Sequence, residues 1–219
     1  LFVTHTEGFE VEVIEELNSS CADFFSQSAI THHDFGILAF TVPASSRDTL
    51  PNIVYRLCSI GSIDSVQAFI DKIENVPYDT ELADDLLTHH CKQNEDQWND
   101  ALDLFEQLYD GKLKWLQQSG QQFSNEINMD RWWFNLVKFR VSAERYRVNS
   151  KHQFKSPKMC GDYGYGVHEK YGWLVNLKKY DINICLHLKD QTCVVGFQLT
   201  PPVYELASAS AKSVDEEHF

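Results

Sequence analysis

The chain has 219 residues, room for one large or two small domains, and its 43% hydrophobic content is enough for a packed core. A charged fraction of 23% is ordinary for a folded protein and excludes a globally disordered chain. The formal net charge of −13 argues, as an average, against a nucleic-acid partner, and no run of about 18 apolar residues offers a membrane span.

Residues 1–73 read as a small α/β unit. Leu1 to Thr4 is a strand candidate broken at Gly8, and Phe9 to Phe25 carries Val13, Ile14 and Leu17 at helical spacing. A short strand is expected around Ala29–Ile30, and the apolar run Gly36 to Val42 is a stronger one. Ser45 or Ser46 can cap a second helix carrying Leu50, Ile53, Val54 and Leu57, with Pro51 in its first turn. Ile63, Val66, Phe69 and Ile70 then give a last strand or a passage from helix to strand. The order strand, helix, strand, strand, helix, strand predicts a ferredoxin-like unit.

Residues 74–130 change character. Thr80 to His90 and Glu95 to Gln117 read as helices, the second with Leu102, Phe105, Leu108 and Tyr109 on one side and carboxylates on the other. This segment is expected to be an acidic helical spacer with a solvated face, or else a docking surface for a basic protein. Gly120 to Asn128 is polar and reads as a loop.

Residues 131–200 form a second α/β unit. Phe134 to Ser142 is a strand. Ser156-Pro157 opens a helix, with Ser as cap and Pro at the first position. Gly161, Gly164 and Gly166 are spaced as small residues that let another backbone approach. Ile182 to Leu188 alternates cleanly, Lys189-Asp190-Gln191 turns the chain, and Thr192 to Leu199 returns as a hairpin. Residues 201–219 are rich in Ala, Ser and Glu and are expected to be disordered. The fold class is therefore α+β.

The charge is unevenly placed. Residues 131–200 hold twelve of the nineteen Lys and Arg but five of the thirty-two Asp and Glu, a local balance of +7 against −20 elsewhere. Arg145, Arg147, Lys151, Lys155 and Lys158 fall within fourteen residues, with Tyr146, His152 and Phe154 among them. Cations neutralise phosphates and release counterions, and rings stack on unpaired bases. Ser156 adds backbone N–H groups at a helix start, which favour an anion. On composition alone a solvated basic loop with its aromatics turned to the core explains the segment equally well. Lys178 and Lys179 extend the phosphate-binding face or simply form a solvated turn. Trp132, Trp133 and Trp173 suit core positions better than base-stacking ones.

No metal site is expected. His32-His33-Asp34 and His89-His90-Cys91 are adjacent residues whose side chains diverge, whereas zinc ligands are spaced two to four apart. The six cysteines contain no CxxC pair and lie mostly among apolar neighbours, which suits a reducing compartment rather than a disulfide framework. No Gly-rich phosphate loop follows a strand and no GxSxG elbow is present, so no active site is expected.

Lys138-Phe139-Arg140-Val141, Arg145, Lys151-His152, Phe154, Ser156, Gly164, Val167, Trp173, Asp181 and Val194 to Thr200 together resemble the THUMP domain of the THUMP domain-containing protein 3 family, the eukaryotic tRNA guanine-N2 methyltransferases. The likeness is ordered and spans Phe134 to Thr200. Thr4 to Glu10 also resembles the family's N-terminal ferredoxin-like domain. The resemblance implies a module that holds the acceptor end of tRNA, including its single-stranded 3′ tail. It carries Arg145, Lys151, His152, Lys155 and Ser156 over as RNA contacts. Arg140, Arg147, Lys158, Lys178 and Lys179 join them as further candidates for their charge.

The family continues into a catalytic domain that binds S-adenosylmethionine and on which a small zinc-containing activator subunit docks. This sequence departs from that pattern after Thr200. It is expected to be a fragment, starting at Leu1 rather than Met, that binds tRNA, not DNA or membrane, and has no methyltransferase activity of its own. Its expected location is the cytoplasm, with the nucleus as a second compartment. Two alternatives stay open: a stand-alone tRNA-binding adaptor for another modification enzyme, and an acidic protein-interaction scaffold.

Overall fold

Val3, Leu38 and Val66 come from three separate stretches and lie side by side, each fully buried. The computed structural model in which they meet describes residues 1–6, 8–22, 30–34, 36–40, 49–109, 111–112, 137–146 and 151–200. The chain runs through β1 (Phe2–Thr4), α1 (Glu10–Ser20), β2 (Ile30–Asp34), β3 (Ile37–Phe40), α2 (Leu50–Cys58) and β4 (Ser65–Ile73). It continues through α3 (Thr80–His90), α4 (Glu95–Leu108), β5 (Lys138–Tyr146), α5 (Ser156–Tyr171), β6 (Leu174–Val175), β7 (Ile182–Lys189) and β8 (Thr192–Gln198). The class is α+β, as expected, and the first six elements follow the ferredoxin-like order.

All the strands join one eight-stranded sheet in the order β2-β3-β1-β4-β8-β7-β5-β6. The pairs are antiparallel except β7–β5 and β5–β6, which are parallel. A parallel neighbour needs a crossover, and α5 supplies it between β5 and β6. The β4–β8 pairing carries the sheet from the first α/β unit straight into the second.

One sheet face bears the core. Val3, Leu38, Val66, Val195, Phe197, Ile184, Leu186 and Phe139 share it by strand register. The helices expected as a spacer pack on this face. Trp98 of α4 is fully buried, and it and Phe105 meet the Phe197 ring edge-on at 6.3 and 5.5 Å between centroids. Tyr109 ends α4 with its hydroxyl donating to Leu199 O at 2.8 Å. Periodicity found Phe105 and Tyr109 but not Trp98, and only the fold shows that they face the sheet.

Several boundaries move. The strand placed at Ala29–Ile30 is β2, Ile30–Asp34. The strand read as Phe134 to Ser142 is described from Lys138 and runs to Tyr146, because β7 pairs with it from Phe139 to Tyr146; residues 134–136 lie outside the described residues. The long acidic helix is described to Leu108, with the rest of Glu95 to Gln117 beyond Lys112 outside the described residues. Ser45, Ser46, residues 120–128, Trp132, Trp133 and residues 201–219 also lie outside them. A bulge between Phe69 and Asp71 turns Asp71 towards α3, where His90 Nδ1 sits 2.9 Å from its Oδ2.

Of the three spaced glycines, Gly166 is the one that admits a close backbone. A Cβ there would strike Cys91 Sγ and lie 2.6 Å from Thr88 O, so α3 and α5 touch because the side chain is missing. Gly164 lies against Val141 at an ordinary distance, and nothing stands near Gly161. Trp173 is a core residue, fully buried and stacked 4.4 Å from the Tyr171 ring.

Candidate nucleic-acid interface

The segment from Lys151 to Lys155 alternates in burial: Lys151, Gln153 and Lys155 are exposed, His152 and Phe154 buried. With His152 and Phe154 turned inward, both lysines are left on the solvent side of the segment.

Three contacts fix this geometry. Gln153 N–H donates to Tyr78 O at 2.9 Å. Arg145 Nη1, at the end of β5, donates to Phe154 O at 2.9 Å, with its guanidinium 5.8 Å from the Phe154 ring centroid. The His152 ring lies between Tyr78 and Phe154, 4.9 Å from each centroid. Burial there holds the imidazole's pKa below its ordinary value, with the neighbouring Arg145 charge acting the same way. His152 is therefore an inward anchor, and Arg145 a latch. Tyr78 was not a candidate from sequence; it lies more than seventy residues from the lysines, and only the fold brings it in.

Ser156 is half-buried and opens α5, but it is the first helical residue rather than the cap. Lys155 occupies the cap position, without a side-chain cap bond. Pro157 follows, and no acidic residue stands in the first turn. The positive end of the helix dipole thus faces outward next to Lys155, with no carboxylate of its own to offset it.

The remaining candidates go elsewhere. Lys158 is held by Asp84 of α3, 2.8 Å away, and by Asp162 of its own helix, so it clamps α5 to α3. Both carboxylates raise its pKa. Arg140 lies on the opposite sheet face, its Nε donating to Asn183 Oδ1 at 3.1 Å and its guanidinium 4.1 Å over the Tyr180 ring. Lys178 and Lys179 are exposed near the start of β5 and β7. They stand towards the Lys138 end of β5, whereas the Lys151–Lys155 strip is held at its Arg145 end. Arg147 lies outside the described residues.

Among the described residues no group of three or more His, Cys, Asp or Glu is placed to hold a metal ion. His90 is paired with Asp71, and the Cys91 thiol, pushed up to about 11 by burial, donates to Thr88 O. No disulfide joins any of the six cysteines. No described helix is long and apolar enough to cross a membrane. No glycine-rich loop leads from a described strand into a helix.

No family model matches the chain. It is 32% identical over 65 residues to tRNA (guanine(6)-N(2))-methyltransferase THUMP3 of Bos taurus, and 31% identical over 65 residues to the Homo sapiens protein of the same name. Each match covers 30% of this chain and 12% of the relative, so the chain matches only a small part of those proteins. The resemblance to the THUMP3-type methyltransferases thus holds at the level of sequence for that stretch. Solved structures with a similar chain trace include TrmN from Thermus thermophilus, with 16% identity, a TM-score of 0.49 and coverage of 91% of this chain and 45% of that one. A 4-thiouridine synthetase in complex with RNA and ATP has 12% identity and a TM-score of 0.43, covering 90% of this chain and 40% of its own.

Proposed function

We propose that this chain is a tRNA-binding module of a tRNA-modifying protein, and that the strip from Lys151 to Ser156 holds the RNA backbone at the acceptor end. The observation that carries this reading is the alternation pinned by Arg145, Gln153 and His152. It turns Lys151 and Lys155 outward together, next to a helix start whose first turn holds no carboxylate. Neither lysine has an ion pair or a side-chain hydrogen bond among the described residues, in a chain of net charge −13. Cations left unneutralised in an acidic protein suit a polyanion.

The similarity to tRNA methyltransferases over 65 residues supports tRNA as that polyanion. Arg145 and His152 act here as positioning residues, and Arg147 is proposed to continue the strip. The test is tRNA binding over a range of salt concentrations. The affinity should fall steeply and linearly on a log–log plot, because each neutralised phosphate releases counterions. A weak, flat response would remove RNA as the ligand.

A further inference from the structure

Lys178 and Lys179 stand apart from the RNA strip, at the edge of the sheet, and what surrounds them differs in kind. β6 is the last strand of the sheet, two residues long. Its neighbours bond inward: Leu174 N–H donates to Val137 O at 3.0 Å and Asn176 N–H to Phe139 O at 2.8 Å. The pleat therefore sends the N–H and C=O of Val175 away from the sheet. No other described strand lies beyond them. Val175 is 60% exposed and Leu177 68% exposed, two aliphatic side chains at alternate positions beside that open edge.

Positive charge flanks the same edge. Asn176 Oδ1 accepts from the N–H groups of Lys178 and Lys179, at 3.1 and 2.9 Å, which fixes the turn that presents both lysines. Lys138, next to Leu174 in register, is exposed too. The nearby carboxylate, Asp181, accepts from Lys138 N–H at 2.9 Å and pairs with Lys112 at 3.2 Å, so it does not neutralise the three ammonium groups.

We propose that the β6 edge is a docking site for an extended protein segment, with Val175 supplying the main-chain bonds and the lysines selecting a partner whose apolar side chains alternate with carboxylates. Strand addition uses an open edge in this way, with main-chain bonds giving affinity and side chains giving selectivity. RNA is the poorer match, because a phosphate backbone leaves Val175 and Leu177 exposed. A second copy of this edge is poorer still, since residues 172–179 hold two lysines and no carboxylate to complement them.

The probe is a fluorescein-labelled octapeptide alternating Val with Glu, titrated into the full chain by anisotropy, with the same peptide carrying a central Pro as control. The Val-Glu peptide should bind and the Pro peptide should not. Val175→Pro should weaken binding at least tenfold, and should fold normally because Pro is tolerated where a strand N–H faces solvent. Lys178→Glu with Lys179→Glu should weaken it to a similar degree, and both variants should bind tRNA like the wild type. Unchanged peptide binding by Val175→Pro overturns strand addition. Loss of tRNA affinity in the lysine variant, with peptide binding intact, assigns the edge to RNA and overturns the proposal. Dimerisation of the chain that Val175→Pro abolishes overturns it in favour of a second copy. The outcome is independent of whether the Lys151–Lys155 strip binds RNA.

Discussion

Gln67 of β4 accepts a hydrogen bond from His187 of β7 across 3.1 Å, reaching over β8 where Gly196 has no side chain to block it. The two residues are 120 positions apart and join the two α/β units on the sheet face opposite the described helices. From His187 the contacts continue to Tyr146, whose hydroxyl is 3.2 Å from Nδ1 and donates to Glu144 at 2.6 Å. On the Gln67 side, Nε2 donates to Ser65 Oγ at 2.8 Å.

Gly196→Ala should therefore destabilise the chain by about 1–3 kcal/mol, the usual cost of overpacking a filled site. Its Cβ would collide with Gln67 Oε1 and Phe2 Cζ, both on residues that are buried. Urea unfolding measures this. Gly161→Ala, inside α5 with open space around the new methyl, should instead stabilise the chain by about 0.5–1 kcal/mol.

Glu144 should make stability depend on pH at the acid end. Its carboxyl is held down at about 2, first by the hydrogen bond from His187 and then by that from Tyr146, against an ordinary value of 4.5. A depressed carboxylate stabilises the fold above its unfolded pKa and loses that contribution as pH falls through its folded pKa. The stability gap between wild type and Glu144→Gln should be full above pH 4.5 and close as pH falls towards 2. A gap that stays constant across that window would remove the carboxylate from the network.

His152 predicts a second window. Burial lowers its pKa below 6.5, so the unfolded chain takes up a proton that the folded chain resists. Stability should decline as pH falls below 6.5, and His152→Phe should remove that part of the decline while keeping an aromatic ring between Tyr78 and Phe154. Thermal melts at pH 7.5 and 5.5 compare the two.

Arg145→Ala should weaken tRNA binding without removing a phosphate contact. Its guanidinium holds Phe154 O, so its loss frees the strip that presents the lysines. The affinity should drop while the salt slope stays near the wild-type value. A slope that falls by about one unit would instead make Arg145 a direct phosphate ligand.

Local pattern carried much of this architecture. The alternation in Ile182 to Leu188 and the apolar spacing in α2 and α4 marked elements that form where expected. Pairing between distant strands was not legible, which is why the spacer helices proved to be part of the core and β5 proved longer than its apolar run. At the candidate interface, composition found the cations but could not tell which were already engaged. Lys158 and Arg140 have partners 40 or more residues away, and Arg145 faces its own connecting loop. Lys151 and Lys155 stayed outward because their buried neighbours alternate with them.

The most direct test is the salt dependence of tRNA binding by Lys151→Glu/Lys155→Glu beside the wild type. Affinity should fall at least tenfold, and the log–log slope should become shallower by about 1.5, the share of two phosphate contacts. A double variant that binds tRNA with wild-type affinity and slope would contradict the assignment of this strip to RNA.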